Sequence, residues 1–325
     1  MYALFSKFIR FAALPIVLFA AVTNAQADAP RIRIGYGVAA EEQLWLMIAK
    51  PSLAPNAGKA YSIDPIKFPG ADKRIQAFEA GAIDISTISA NAAIFAAAEG
   101  VQFKIIGSLS RESTRGFYTK FMVMKNSPIK TAADLKGKTI GLNGFSGSGN
   151  LWVRAYLEKN KMAESDVTLV PIPFSSQFEA LKAGKIDVGM FPQPFAEIAE
   201  KSGNVRTVFS SKDPSPFEEE LMLVIAKDDF LKKNTAEVKA FMSDLVGATK
   251  YYATNQQEAR KTLIDGRMVL ISPDIYLGMK DYYRDPGVKV DLGALEKMQD
   301  QQVKFGFQNK RADLKSRVDM SYLPK

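Results

Sequence analysis

Apolar and polar positions change period many times along this chain, and each change marks an element. Arg31-Ile-Arg-Ile-Gly-Tyr36 alternates with period two, which predicts a strand. Leu44, Trp45 and Ile48 then share one stripe. That spacing predicts a helix over 41–53, with Glu41 and Glu42 at its electropositive end. Further strands are predicted at 61–68, 83–88 and 101–109. Helices are predicted at 71–80, closed by Gly81, and at 92–98, ended by Gly100. The regular exchange of strand and helix argues for an α/β fold with a mainly parallel sheet.

The pattern then repeats. Ile34-Gly35 followed by Leu44-Trp45 is echoed by Ile140-Gly141 followed by Leu151-Trp152. Ala77-Phe-Glu-Ala-Gly-Ala-Ile-Asp-Ile85 is echoed by Ala180-Leu-Lys-Ala-Gly-Lys-Ile-Asp-Val188. A solenoid repeats every 20–50 residues, so echoes more than 100 positions apart point instead to two similar α/β lobes. In the second lobe, helices are predicted at 131–136, 151–159, 175–183 and 195–201. Its strands are predicted at 138–142, 167–172, 186–190 and 205–209. After Pro214-Ser-Pro216 a strand at 221–226 is followed by helical stripes at 238–252, 256–264, 274–283 and 292–305. The Tyr251-Tyr252 and Tyr282-Tyr283 pairs fall within such stripes and read as helix packing. A strand and helices with no new sheet imply that the tail returns to lobe 1. The chain then crosses twice, near 120–125 and 210–223, and paired crossings form a hinge.

One stretch carries candidate chemistry. Between the strand at 138–142 and the helix at 151–159 lies Gly144-Phe-Ser-Gly-Ser-Gly-Asn150. A strand, a glycine-rich turn and a helix present unpaired N–H groups at a positive helix end, which attracts anions. Ser146, Ser148 and Asn150 add side-chain donors. The stretch is neither a P-loop nor a dinucleotide fingerprint. A plain turn whose Ser or Asn caps the helix fits it equally well.

Composition narrows the classes. The length fits about two domains of roughly 150 residues, and 47% apolar residues supply large cores. Lys7 and Arg10 precede an apolar run at 11–22, and Ala25-Gln26-Ala27 offers a cleavage site. Residues 1–27 therefore read as a signal peptide cleaved after Ala27, against an uncleaved anchor. Its removal lowers the net charge from +8 to +6. That dispersed charge makes no case for nucleic acid. The chain has no Cys and no His. Disulfides, a thiolate nucleophile, a Ser-His-Asp triad, a Cys/His metal site and a lipidated Cys are excluded. The expectation is a periplasmic, exported protein.

Four stretches, in order, then carry a family resemblance. They are Ile32-Arg-Ile-Gly-Tyr36; Gly81-Ala-Ile-Asp-Ile-Ser-Thr-Ile-Ser-Ala-Asn91 running into Ile94-Phe95-Ala96 and Gly100; Leu135-Lys-Gly-Lys-Thr-Ile-Gly141 with Ser146 and Asn150; and Asp187-Val-Gly-Met-Phe-Pro-Gln-Pro-Phe195. Through them residues 31–325 resemble the periplasmic solute-binding proteins of ABC importers for nitrate, alkanesulfonates, taurine and related organic anions. The resemblance implies a two-lobed periplasmic-binding-protein type 2 fold, each lobe a mainly parallel sheet flanked by helices, joined by a two-crossover hinge. Lobe 1 would comprise 28–121 and 216–325, and lobe 2 would comprise 122–215. It also implies a receptor that captures a small organic anion and delivers it to a membrane permease and its ATPase. Neither catalysis nor a cofactor is implied, and a monomer is expected. The cleft would be lined by Val38 and Ala39, by Thr87 and Ser89, by Phe145, Ser146, Ser148 and Asn150, and by Gln193.

The chain departs from the family pattern in three places. Gln193 stands where the family often has Asp, which suits a ligand without a cationic group. Gly37 and Val38 are apolar where Lys or Gln is frequent, and Phe145 enters the second-lobe loop. With Trp45 and Phe191 nearby in the motif frame, these changes imply an aromatic or aliphatic carboxylate or sulfonate rather than nitrate. Arg115 and Arg154 have the chemistry of a bidentate carboxylate clamp, and solvated surface sites suit them as well. A thiamine-precursor-binding protein or enzyme on the same fold, and a ligand-binding sensory module, are the competing readings.

Overall fold

The alternation at the start of the chain builds a strand inside a sheet, paired on both sides. The computed structural model describes residues 29–68, 71–145 and 147–325; the expected signal peptide, the Pro69-Gly70 turn and Ser146 lie outside the described residues. Strands β1 (Arg31–Tyr36), β2 (Ser62–Lys67), β3 (Ile85–Ser89) and β4 (Lys104–Glu112) belong to a first sheet. Strands β5 (Lys120–Met124), β6 (Thr139–Leu142), β7 (Thr168–Pro171), β8 (Val188–Phe191) and β9 (Val205–Ser210) form a second. Strand β10 (Glu219–Ala226) returns to the first sheet, giving the order β2-β1-β3-β10-β4; the second runs β7-β6-β8-β5-β9. In each sheet one strand opposes the rest: β10 is antiparallel to β3 and β4, and β5 is antiparallel to β8 and β9. The two-lobed, mainly parallel α/β fold is the architecture the residues imply.

Strand β10 shows why the first sheet is covered on both faces. Met222, Val224 and Ala226 enter one apolar core with Leu44, Met47, Phe241 and Leu245, while Leu223 and Ile225 enter the other with Ile94, Leu295 and Met298. Period-two alternation with both sets apolar requires helices on both sides. Each fully buried Val, Leu or Ile among them contributes about 1.5–3 kcal/mol. In the second lobe Phe121, Ile140, Leu142, Trp152, Val188 and Phe209 share a core.

Two helices begin in contrasting ways. Ala90–Ala98 is rich in alanine, the best helix former, and Ser89 caps it by accepting from Ala92 N–H at 3.4 Å. Ser148–Lys159 begins directly after Gly147, which has no side chain to cap it. The helix expected over 274–283 is only Pro273–Gly278. Beyond it the chain is drawn out, because Asp281 is buried against Arg284 and Arg260, and Tyr283 bridges to Arg111 of β4. Tyr282 and Tyr283 are therefore not helical, contrary to the expected packing pair.

The lobes are joined by residues 113–119 and 211–218. The first passage lies earlier than the crossing expected near 120–125, because 120–124 is paired between β8 and β9. Glu112, fully buried at the end of β4, ties the two passages together. Its carboxylate accepts from the Thr119 N–H (2.8 Å) and hydroxyl (2.6 Å) and from the Ser211 hydroxyl (2.6 Å). Gly116 lets the first passage lie against the tail; a Cβ there would come within 2.8 Å of the Asp281 carbonyl oxygen and press on the Tyr283 backbone. Replacing Gly116 with Ala is expected to lower stability by about 1–3 kcal/mol in urea unfolding. Gly247→Ala, in open space inside the helix Thr235–Thr254, is expected to raise it by about 0.5–1 kcal/mol.

Candidate functional site

A cleft of about 190 Å³ opens where the two lobes face each other. At about one water per 10–15 Å³ of such volume, it has room for roughly a dozen non-hydrogen atoms. Lobe 1 contributes the loop 37–41 after β1, Phe68, Arg74 and Ser89. Lobe 2 contributes the glycine-rich turn with Ser148, then Trp152, Phe174, Met190 and Pro192. Thr119 of the hinge, Leu221 and Met222 of β10, and Tyr282 close the back. The helices opened by Glu41, Ser89 and Gly147 all direct their N-terminal ends here.

Two charged side chains are among the described residues lining the cleft, and they are paired. Glu41, fully buried, accepts from Gly37 N–H at 2.8 Å and from Arg74 Nη1 at 2.9 Å. Arg74 Nη1 also donates to the Thr87 hydroxyl at 2.6 Å, while its Nε is buried without a partner. The side chain is 7% exposed, so neither charge is screened by bulk water. Trp152 stands on the opposite wall and gives its indole N–H to the Glu219 carboxylate at 3.1–3.2 Å.

The residues singled out in the sequence separate into groups. Val38, Ala39, Ser89 and Ser148 are brought together on the cleft wall. Thr87 lies one layer behind, holding Arg74. Phe145 is half exposed and off the wall, and Ser146 lies outside the described residues. Asn150 braces the turn, donating to the Phe145 carbonyl at 2.9 Å and accepting from Arg154 Nε at 3.2 Å. Trp45 is not at the cleft but in a lobe 1 core with Tyr252, Ala259 and Leu263, because its stripe faces the returning helices. Phe191 is likewise fully buried in the core. Gln193 is committed elsewhere: its side chain donates to the Lys280 carbonyl (3.1 Å) and accepts from Glu197 N–H (3.2 Å). Arg115 pairs with Glu218 and stacks on Tyr283, and Arg154 donates to Glu164 and the Phe305 carbonyl; neither lines the cleft.

Arg74, Trp152, Phe174, Met190 and Tyr282 line the cleft but were not read from the sequence as cleft residues. Arg74 follows Asp72 and Lys73, and such a charge run reads as a solvated face. Only the approach of Glu41, 33 positions away, makes it a cleft residue.

The family described as NMT1/THI5 like matches residues 65–259. A curated Escherichia coli (strain K12) protein named for binding aliphatic sulfonates is 25% identical over 312 residues, covering 94% of this chain and 93% of its own. The crystal structure of the E. coli periplasmic aliphatic sulphonate binding protein SsuA superposes with a TM-score of 0.73 at 20% identity, covering 89% of this chain and 92% of its own. The alkanesulfonate-binding SsuA of Xanthomonas axonopodis pv. citri, solved bound to MOPS, also gives 0.73 at 20% identity, covering 90% and 99%.

Two hinge carboxylates give the molecule a pH signature. Burial raises Glu219 and Glu220 from the ordinary 4.5 to about 7 each, against the opposing pull of Lys212 and Arg111 respectively. The folded chain therefore keeps protons that the unfolded chain releases. Their contribution to stability is full below pH 4.5 and is lost as pH rises through about 7, at most about 3 kcal/mol each. Carboxylates whose values are lowered, such as Glu218, titrate below this window. The melting temperature is expected to fall between pH 5.5 and 8 at constant ionic strength. Glu219→Gln, which cannot titrate, should flatten that slope; an unchanged slope would remove Glu219 as its source.

Proposed function

We propose, for a chain that belongs to the NMT1/THI5-like family, that it is the extracytoplasmic solute-binding receptor of an ABC importer, capturing a small organic acid between its lobes. Lobe 1 (28–121 and 216–325) and lobe 2 (122–215) would close about the hinge, and the shut form would dock on a membrane permease with its ATPase. The observation that carries the reading is Arg74: a buried guanidinium on a cleft walled by both lobes, with its Nε N–H buried and without a partner among the described residues. An unsatisfied buried donor costs about 1–3 kcal/mol, and a ligand carboxylate or sulfonate oxygen offsets that cost. The helix N-termini around it add positive potential without reactive side chains. Phe68, Trp152, Phe174 and Met190 supply an apolar wall for the ligand body. The sulfonate-binding relatives favour the same ligand class. The reading makes the protein a monomeric carrier in the periplasm, without a cofactor and without catalysis.

A thermal-shift panel of ethanesulfonate, MOPS, benzoate, nitrate and a neutral pyrimidine tests this. Carboxylates or sulfonates should raise the melting temperature. Ligand at 100 times its dissociation constant adds about 2.7 kcal/mol. Stabilisation by the neutral pyrimidine alone would transfer the assignment to a thiamine-precursor type. Arg74→Lys keeps the charge beside Glu41 but withdraws Nε. It is expected to weaken the bound acid about tenfold, in calorimetric titration, with little change in ligand-free melting.

A further inference from the structure

We infer that Asn91 and Gln302 are positioning residues that make the Ser148 hydroxyl a hydrogen-bond donor to the bound solute, and that they do so only when the lobes meet. The inference rests on reading the inter-lobe cleft as the ligand site. Ser148 opens the lobe 2 helix Ser148–Lys159 and lines the cleft. Asn91 lies in the first turn of the lobe 1 helix Ala90–Ala98, and Gln302 lies on the lobe 1 helix Leu292–Lys304. The three are 9%, 3% and 2% exposed.

The chemistry fixes the direction of each bond. Gln302 Nε2 reaches both the backbone oxygen of Asn91 (3.0 Å) and its Oδ1 (2.8 Å). The Asn91 backbone oxygen only accepts, so the Gln302 atom facing it must be the amide nitrogen, and the Asn91 side-chain atom that shares that nitrogen must be the oxygen. That turns Asn91 Nδ2 toward Ser148 Oγ, at 2.8 Å. This nitrogen too can only donate, so the serine oxygen accepts. A hydroxyl that accepts on one side keeps its own proton to give. No acceptor for that proton is found among the described residues, and the cleft lies beside it. The chain of donation runs from Gln302 through Asn91 and Ser148 toward an acceptor in the cleft. Polarisation along such a chain strengthens its last bond. Because the first two members belong to one lobe and the third to the other, the orientation is completed by closure.

A contact that merely packs the lobes together predicts something different: its loss would weaken closure but would not depend on Ser148. Since the sequence has no Cys, Glu99→Cys and Lys185→Cys, both exposed and on different lobes, can carry a unique spin-label pair. In the ligand-free protein, Asn91→Ala should move the inter-label distances outward; an unchanged distribution overturns the inference whether or not any solute binds. With ethanesulfonate, or MOPS or benzoate where that gives the larger thermal shift, Asn91→Ala and Ser148→Ala should each weaken binding about tenfold. The double variant should be no worse than Ser148→Ala alone. Asn91→Asp keeps the Gln302 bond but claims the serine proton, and should weaken binding at least as much as Asn91→Ala. Additive losses from Asn91→Ala and Ser148→Ala would reduce the pair to packing and overturn the donor role. If none of the three acids binds, the organic-acid reading fails, and the distances alone decide whether Asn91 links closure to Ser148.

Discussion

Glu112 is the point at which the two passages between the lobes are tied to one another. A fully buried carboxylate is costly unless it is well supplied with donors. Here three donors converge on it, two from Thr119 and one from Ser211. They come from the two passages that join the lobes, and a backbone bond from Ser211 N–H to the Thr119 carbonyl (2.9 Å) locks the same pair. The passages therefore cannot drift apart without exposing the carboxylate to an apolar surround. The tie holds the two passages side by side at the base of the cleft. Glu219 and Glu220 follow immediately on the return strand, with Trp152 and Lys212 on one and Ser108 and Arg111 on the other. The hinge is thus built around buried carboxyl groups whose oxygens are well supplied with hydrogen-bond donors.

The cleft uses the opposite economy. Its walls are largely apolar, so each polar atom in it acts in a low dielectric. Arg74 would be prohibitively isolated there without Glu41, and Glu41 would be equally so without Arg74 and the Gly37 N–H. The pair holds the guanidinium in one place while committing only Nη1 to it. Nitrate would fill little of a cleft this size. The proposed ligand class, an acidic head on an apolar body, matches both the donor and the aromatic wall.

The sequence revealed the layout better than the site. Alternation in β1 and β3, the glycine stops at Gly81, Gly100 and Gly184, and the repeated Ala-Gly-x-Ile-Asp pattern are local signals, and each marks an element found in the structure. The helix expected over 274–283 stops at Gly278 because Asp281 is buried against Arg284 and Arg260, and Arg284 against Glu42, which draws the chain into an extended run. At the site, Ser89 and Ser148 were legible because helix-opening turns are local. Trp45 and Phe191 were misplaced because an aromatic stripe has the same spacing whether it faces a core or a cleft. Gln193 was visible as a special residue, but its partners, Lys280 and Glu197, are set by tertiary contact and a helix start. Arg74 could not be found at all, since its meaning depends on Glu41 and Thr87 arriving from other elements.

Closure requires that a solute touch something in the shut form that it cannot touch in the open one. Arg74, Val38 and Ser89 stand on one lobe; Ser148, Trp152 and Met190 stand on the other. A molecule long enough to meet both sets gains its second set of contacts only by drawing the lobes together. The flanks also meet directly, through Asn91 with Ser148, Lys304 with Glu158, and Lys201 with Asp274. The two salt bridges are largely solvated and contribute little. The Asn91 bond is buried, and it ends on a residue of the cleft. Gln193 N–H also reaches the hydroxyl of Tyr282, another cleft residue, at 3.1 Å; the Asn91 bond is the one that, as inferred above, orients a hydroxyl toward the solute.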